Sequence, residues 1–216
     1  MPANIRSYLR TADRPETLQN LDAVHLRHHH IQNDSVILPG RGVFIGVNAA
    51  LLATNGAAVT VKNADISSSA QNGSGVFSCG SGTTVSISDS TITTTADNSG
   101  GIQTTGGGTT NASNLTVTTS GNSSAAIRSD RGGGTVNVTG RTYTSNGYNS
   151  PAVCSTANIT VKNAALTANH SEALVIEGNN SITLKNCAVT GSMSSTKGAI
   201  DFNGYTITLA DGTVLK

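Results

Sequence analysis

Tryptophan is absent from this chain of 216 residues, aromatic residues make up 3 %, and charged residues 12 %. The lack of aromatics removes the side chains that dominate most globular cores and the platforms on which sugar rings and bases stack. Charge is about half the roughly 25 % usual in soluble domains. Its balance, 13 basic against 12 acidic residues for a net +1, leaves no electrostatic footprint for nucleic acid. Cysteine is scarce: Cys79, Cys154 and Cys187 are an odd count without metal-ligand spacing, which excludes a disulfide framework and a cysteine-based metal site. No apolar run reaches the 18 or so residues of a membrane span. The opening Met1-Pro-Ala-Asn-Ile-Arg6 lacks the basic-then-apolar pattern of a secretory signal. No cofactor motif is present, since the Gly133-Gly-Thr-Val136 run leads into a strand pattern rather than opening a helix.

What fills the space is Ser, Thr, Asn and 24 glycines, and they recur in order. The segment Ala157-Asn-Ile-Thr-Val-Lys-Asn-Ala-Ala-Leu-Thr167 is echoed by Ser181-Ile-Thr-Leu-Lys-Asn-Cys-Ala-Val-Thr190. Aligned on Ile159 and Ile182, both place apolar residues at offsets 0, 2 and 7 and Asn at offset 4. Extended along the chain, offset 0 falls at Val36, Val59, Val85, Thr110, Val136, Ile159, Ile182 and Ile207, at steps of 23 to 26 residues. Offset 2 reads Leu38, Val61, Ile87, Ala112, Val138, Val161, Leu184 and Leu209, and offset 7 reads Val43, Ile66, Ile92, Val117, Tyr143, Leu166, Val189 and Val214. Offset 4 is Gly40, Asn63, Asp89, Asn114, Gly140, Asn163, Asn186 and Asp211. Gly, Asn and Asp are the residues that adopt a left-handed backbone at least cost, so this column marks a sharp corner between two strands. Stacked Asn side chains there are expected to form a ladder that satisfies buried polar groups along the axis.

A third strand is marked by a small residue before an aliphatic one: Ala50-Leu51, Gly75-Val76, Gly101-Ile102, Ala126-Ile127, Ala152-Val153, Ala173-Leu174 and Ala199-Ile200. Three short strands per lap of about two dozen residues predict an all-β fold, a right-handed parallel β-helix of about eight laps over residues 36–216. Residues 1–35 differ in composition. Thr11-Ala-Asp-Arg-Pro-Glu16 followed by Leu18, Leu21 and Val24 or His25 reads as a short amphipathic helix capping the open end of the stack. The His25–His30 cluster within it has no acidic or thiol partner at ligand spacing and is read as the solvated end of that helix, so no metal site is expected.

The strings Ser74-Gly-Val-Phe-Ser78, Gly101-Ile-Gln-Thr-Thr-Gly-Gly-Gly-Thr-Thr-Asn111, Asn122-Ser-Ser-Ala-Ala-Ile-Arg-Ser-Asp130 and Ser171-Glu-Ala-Leu-Val-Ile-Glu-Gly178 resemble the adhesin-like right-handed β-helix proteins of anaerobic bacteria, within the pectin-lyase-like superfamily. The likeness covers about residues 47 to 198. It implies an exported or cell-surface protein of adhesive function, whose partners would be a glycan or a surface protein, and it carries over no catalytic residues.

Three sets of candidate functional residues stand out. Arg128, Asp130, Glu177 and Asp201 fall at outward parity on the third strand, the nearest approach to the paired carboxylates of a polysaccharide lyase or glycoside hydrolase. Asp130 and Glu177 share a column two laps apart, about 9.6 Å, the far limit for an inverting pair. Thr91, Thr93, Thr116, Thr118, Thr142 and Thr144 flank an inward residue in three successive laps, resembling the Thr-x-Thr face of β-helical ice-binding proteins. The column Asn63, Asp89, Asn114, Asn163, Asn186 and Asp211 is expected to be structural. The three cysteines read as incidental thiols, since His170, the one His beyond the N-terminal segment, falls in a different corner. The apolar cross-section at the C-terminal edge is a candidate for end-to-end self-association. The resulting expectation is a non-catalytic structural or adhesive module, with catalysis and ice binding as alternatives.

Overall fold

The computed structural model describes the backbone of residues 24–25, 31–37, 48–130, 132–178, 180–192, 200–202, 206–209 and 214–215, with side chains described from 49 to 192 except 131 and 179. It is a parallel β-solenoid of about six turns. One sheet stacks Asn48–Thr54, Gly73–Cys79, Ile102–Thr105, Ile127–Asp130, Val153–Ser155, Leu174–Ile176 and Ile200–Phe202, each parallel to the next. A second stacks Ala58–Ser68, Thr84–Ser88, Gly108–Thr119, Gly134–Ser145, Asn158–Lys162, Ser181–Lys185 and Thr206–Leu209. The third rank is formed by the later halves of the longest of these strands together with Thr91–Thr94, Ala165–Ala168, Ala188–Gly191 and Val214–Leu215.

The turn count corrects the expected eight. Ile31–Ile37 is a strand, but it pairs antiparallel with the second sheet, Val36 opposite Val61 and Ile37 opposite Thr60. Val24–His25 likewise pairs antiparallel with Leu52 and Ala53, so the segment at Val24–His25 is extended rather than helical. Alternating apolar residues suit either strand direction, and the template that matched Val36 and Leu38 could not tell a lap from a strand laid across its open edge. At this end Leu52 and Phe77, at outward parity, are buried with Ala49. The helix expected upstream, most of the His25–His30 cluster, Gly40 and Asp211 lie outside the described residues. Among the described residues no helix is long and apolar enough to cross a membrane.

The inward columns are those the repeat marks. Val59, Val85, Val136, Ile159 and Ile182, with Val61, Ile87, Val138, Val161 and Leu184, are buried in one core, facing Ile66, Ile92, Val117, Tyr143, Leu166 and Val189 from the next strand. Register is strict: Ile66 lies beside Ile92 and Ile92 beside Val117. The small residue before each aliphatic one is a steric requirement, because a Cβ on Gly75 would stand 2.3 Å from Ile92 Cγ2 and one on Gly101 2.3 Å from Val117 Cγ1.

The corners are left-handed. Asn63, Asp89, Asn114, Gly140, Asn163 and Asn186 have φ between 51° and 83°, which is the backbone demand inferred for this column. A second corner repeats the device at Asn72, Asn98, Ser123 and Asn149, each three residues before the small-aliphatic pair, and the third is built from Asn55-Gly56, Gly80, Gly82, Gly106-Gly107 and Gly132-Gly133.

The interior is less apolar than the columns suggest. Ser99, Ser124 and Ser150 are fully buried and stacked. Each Oγ accepts the backbone N–H of the lap before it: Gly73 to Ser99 (3.1 Å), Ser99 to Ser124 (2.9 Å), Ser124 to Ser150 (2.9 Å). Each also donates to carbonyls of the corner, Ser124 to Asn122 and Ala96. Ser68, Thr94, Thr119 and Ser145 form a parallel buried column whose hydroxyls span the same corner to Gly73, Ser99, Ser124 and Pro151 carbonyls. Thr110, the one polar residue described at offset 0, shares a 2.6 Å hydrogen bond with buried Thr104. Much of the chain's Ser and Thr is therefore structural, pairing buried backbone groups where three strands cannot bond one another.

The fourth turn departs from the rest. At offset 5 the other described turns bury Ala64, Ser90, Leu115, Ala164 and Cys187, whereas Arg141 follows Gly140 into the left-handed region (φ 61°) and stands exposed. The same turn carries Tyr143 where its neighbours have Val117 and Leu166. The larger ring adds volume to the turn that has lost an inward side chain, as constant packing density requires.

Candidate functional site

The solenoid presents three kinds of outward surface: corners, the sheet carrying the charged residues, and two polar strand faces.

The offset-4 corner is a ladder, but an exposed one, which corrects its expected role inside. Asn114 Nδ2 donates to Asp89 Oδ1 (2.6 Å), Arg141 Nε donates to Asn114 Oδ1 (2.5 Å), and Asn186 Nδ2 donates to Asn163 Oδ1 (2.8 Å). Lys62 Nζ lies 3.9 Å from Asp89 Oδ2. The hydrogen bond from Asn114, with smaller contributions from Ser88, Lys62 and Arg141, holds the Asp89 carboxyl below its ordinary range. Left-handed geometry points these side chains away from the axis, so buried groups are satisfied by the Ser and Thr columns instead.

The charged set on the first sheet is engaged within itself. Arg128 Nε and Asp130 Oδ2 are 2.8 Å apart, with side chains 22 % and 36 % exposed. Gln103 Nε2 donates to the same Asp130 oxygen at 2.9 Å, and Ser74 Oγ donates to Gln103 Oε1 at 2.5 Å. Arg128 Nη1 reaches the Asn98 and Ser123 carbonyls at 3.3 and 3.4 Å. Glu177 stands exposed one rank beyond Thr156, its N–H bonded to the Ser155 carbonyl. Asp201 lies beside Val175 in register, its side chain outside the described residues. The cluster is thus a cross-lap network on a sheet surface, one of its carboxylates already neutralised. Cys154, paired in register with Arg128, is pushed up to about 11 by burial, with Asp130 and Glu177 adding to the rise and Arg128 opposing it. Burial also raises Cys79, and Cys187 is buried beside the Val161 and Lys185 carbonyls. Neither Cys79 nor Cys154 has the thiolate character of a nucleophile at neutral pH.

The Thr face is in register. Thr91, Thr116 and Thr142 form one column, bounded by Asp65 and Ala165. The second column is longer than the Thr-x-Thr pattern indicated: Thr93, Thr118, Thr144, Thr167 and Thr190 succeed one another through five turns.

A further surface escaped the sequence reading. The outer face of the second sheet has a shallow concavity of about 280 Å³, lined by Thr60, Ser86, Ser88, Asn111, Ser113, Asn137 and Thr139 with Val61, Ile87 and Ala112 beneath. Every outward side chain lining it is uncharged, and Asn137 Nδ2 donates to Asn111 Oδ1 at 2.9 Å. The signal lay at offset 1 of the repeat, where Thr60, Ser86, Asn111 and Asn137 replace one another, and at offset 3, where Ser88, Ser113 and Thr139 interrupt a column that is Lys at 62, 162 and 185, and such mixed columns form no conspicuous motif.

No family model, curated protein or solved structure matches this chain. Among the described residues no cluster of three His, Cys, Asp or Glu side chains that could hold a metal ion occurs.

Proposed function

We propose that the protein is a non-catalytic structural or adhesive module that binds a glycan or a surface protein along a lateral face of its solenoid. The observation that carries this reading is the engagement of Asp130 by Arg128 and Gln103. An inverting hydrolase needs one carboxylic acid free to protonate a leaving group and a second free to activate water, and a lyase needs an unpaired base. Here the best-placed carboxylate is held by a guanidinium and an amide on an open sheet. Fixed ranks of short polar side chains, repeating at about 4.8 Å between turns, favour recognition of an extended, repetitive partner instead. The resemblance to adhesin-like right-handed β-helix proteins adds export and a cell-surface location to the proposal, and end-to-end self-association of solenoids is part of it.

The test is incubation with a panel of polysaccharides. Retention on one or more of them without release of reducing or unsaturated ends supports the module, and steady release of such ends lost in Asp130→Asn overturns it.

A second reading rests on the five-turn column Thr93, Thr118, Thr144, Thr167 and Thr190. A methyl and hydroxyl repeated in register from turn to turn suits an ordered water layer, and thermal hysteresis abolished by Thr118→Tyr would favour ice binding. Absence of hysteresis at millimolar protein removes that reading.

A further inference from the structure

We infer that the concave outer face of the second sheet is a binding surface for an uncharged oligosaccharide, held by Ser86, Asn111, Ser113, Asn137 and Thr139. The inference rests on the lateral-face reading above and specifies both the face and the ligand class.

Four observations converge on it. The surface is hollowed, and the hollow spans four consecutive turns through Thr60, Ser86, Asn111 and Asn137 in register. Its hydrogen-bonding capacity is left open: the hydroxyls of Ser86, Ser113 and Thr139 have no partner among the described residues, and the Asn137–Asn111 bond uses one donor and one acceptor of the pair while fixing both amides. That leaves Asn111 Nδ2 as a donor and Asn137 Oδ1 as an acceptor, held on rigid strands at a spacing of about 4.8 Å across turns and about 6.6 Å along each strand. Charge is excluded from the hollow and appears at its borders, where Lys62 is engaged with Asp89 and Lys162 lies one turn past Thr139.

This chemistry discriminates among ligands. A sugar hydroxyl both donates and accepts, so a neutral glycan can satisfy an alternating amide-and-hydroxyl array without leaving a charge unpaired. An anionic glycan would find no cation within the hollow. A protein partner needs a buried apolar or aromatic anchor, and Tyr148, the only large hydrophobic side chain exposed among the described residues, stands at a corner outside the hollow. The amides are pre-organised by their mutual bond, which lowers the ordering cost of binding.

The test is calorimetric titration of the full chain with cellohexaose, xylohexaose, mannohexaose and N-acetylchitohexaose, with hexagalacturonate as the charged counterpart. The expected result is binding of at least one neutral sugar with little salt dependence. Its Kd should rise tenfold or more in Asn111→Ala, Asn137→Ala and Ser113→Lys, with melting temperatures held, and stay unchanged in Thr118→Ala. Ser113→Lys fills the hollow from an exposed position, so it separates loss of the surface from loss of the fold. Neutral-sugar binding that survives all three substitutions overturns this face while leaving the glycan-binding module intact. A preference for hexagalacturonate that collapses with salt overturns the ligand class. Failure of all the sugars to bind overturns the inference, and the lateral-face reading then stands or falls on whether the chain is retained on a polysaccharide or a surface protein.

Discussion

The Asn column at the outer corner and the Ser column inside another corner each place one hydrogen-bonding side chain per turn, yet they hold the chain differently. Asn163 and Asn186 are exposed, bonded mainly to each other, and fix a left-handed φ. Ser99, Ser124 and Ser150 are sealed from water, and each satisfies a backbone N–H of the neighbouring turn. Outside, residue type is chosen by backbone conformation and the side-chain bond is secondary, because water offers a replacement. Inside there is no replacement, and the hydroxyl itself is required. A polar ladder on a solenoid is therefore not one device but two, told apart by what is left unpaired when a rung is removed.

Substitution separates them most sharply at Ser124. Ser124→Val strands the Ser99 N–H and the carbonyls that the hydroxyl serves, and should cost about 3 kcal/mol, read as a lowered denaturant midpoint. A cost below a few tenths would mean that the inner column is filler. Asn163→Leu places a branched side chain at a φ of 54° and should cost about 1–2 kcal/mol, while Asn163→Gly restores most of it although the ladder bond is gone. Should Gly prove as damaging as Leu, the outer bond rather than the backbone would be what matters. In both variants binding per folded molecule should be unchanged. A third test works in the opposite direction: the Tyr143 hydroxyl is buried without a partner among the described residues, and burial drives its ionisation well above the ordinary range. Tyr143→Phe should raise stability by about 1 kcal/mol, and a loss would point to a bridging water. The smallest effect is at Asp89. Its folded pKa lies below the ordinary 3.8, so its contribution is present above that value and is lost as pH falls through the depressed one. Asp89→Asn should leave neutral stability nearly unchanged and reduce the loss seen below about pH 4.

These two ladders also show what was legible in the sequence. The outer one was, because only Gly, Asn and Asp fill a left-handed corner cheaply, and a restricted alphabet at a fixed period stands out. The apolar columns were legible for the same reason, each of Val59, Val85, Ile159 and Ile182 falling inward as the spacing requires. The inner Ser and Thr columns were not, since the same residues cover the outside and identity does not separate a buried hydroxyl from a solvated one. The second left-handed corner, Asn72 to Asn149, was available three residues before each small-aliphatic pair but was hidden by Ser123, which breaks the alphabet. Turn number was overcounted because hydropathy carries no strand direction. Among candidate sites, the carboxylates could be placed in columns, but the engagement of Asp130 by Arg128 and Gln103 depends on rotamers that sequence does not encode. The hollow lined by Asn111 and Asn137 depends on how side chains of four turns stand beside one another and was equally out of reach.

The inside-out residue of the fourth turn has a consequence for how the chain finds its alignment. Stacked turns of like size and like columns invite displacement by one whole lap, since Val over Ile and Asn over Asn are nearly as good in the wrong place as in the right one. Gly140-Arg141 and Tyr143 have no equivalent in the other described turns. A chain threaded one lap out of step would set a turn that buries an extra side chain against the bulk of the tyrosine ring, or leave the ring's space empty. The fourth turn thus acts as a key cut differently from its neighbours, penalising every displaced threading of an otherwise repetitive strand order.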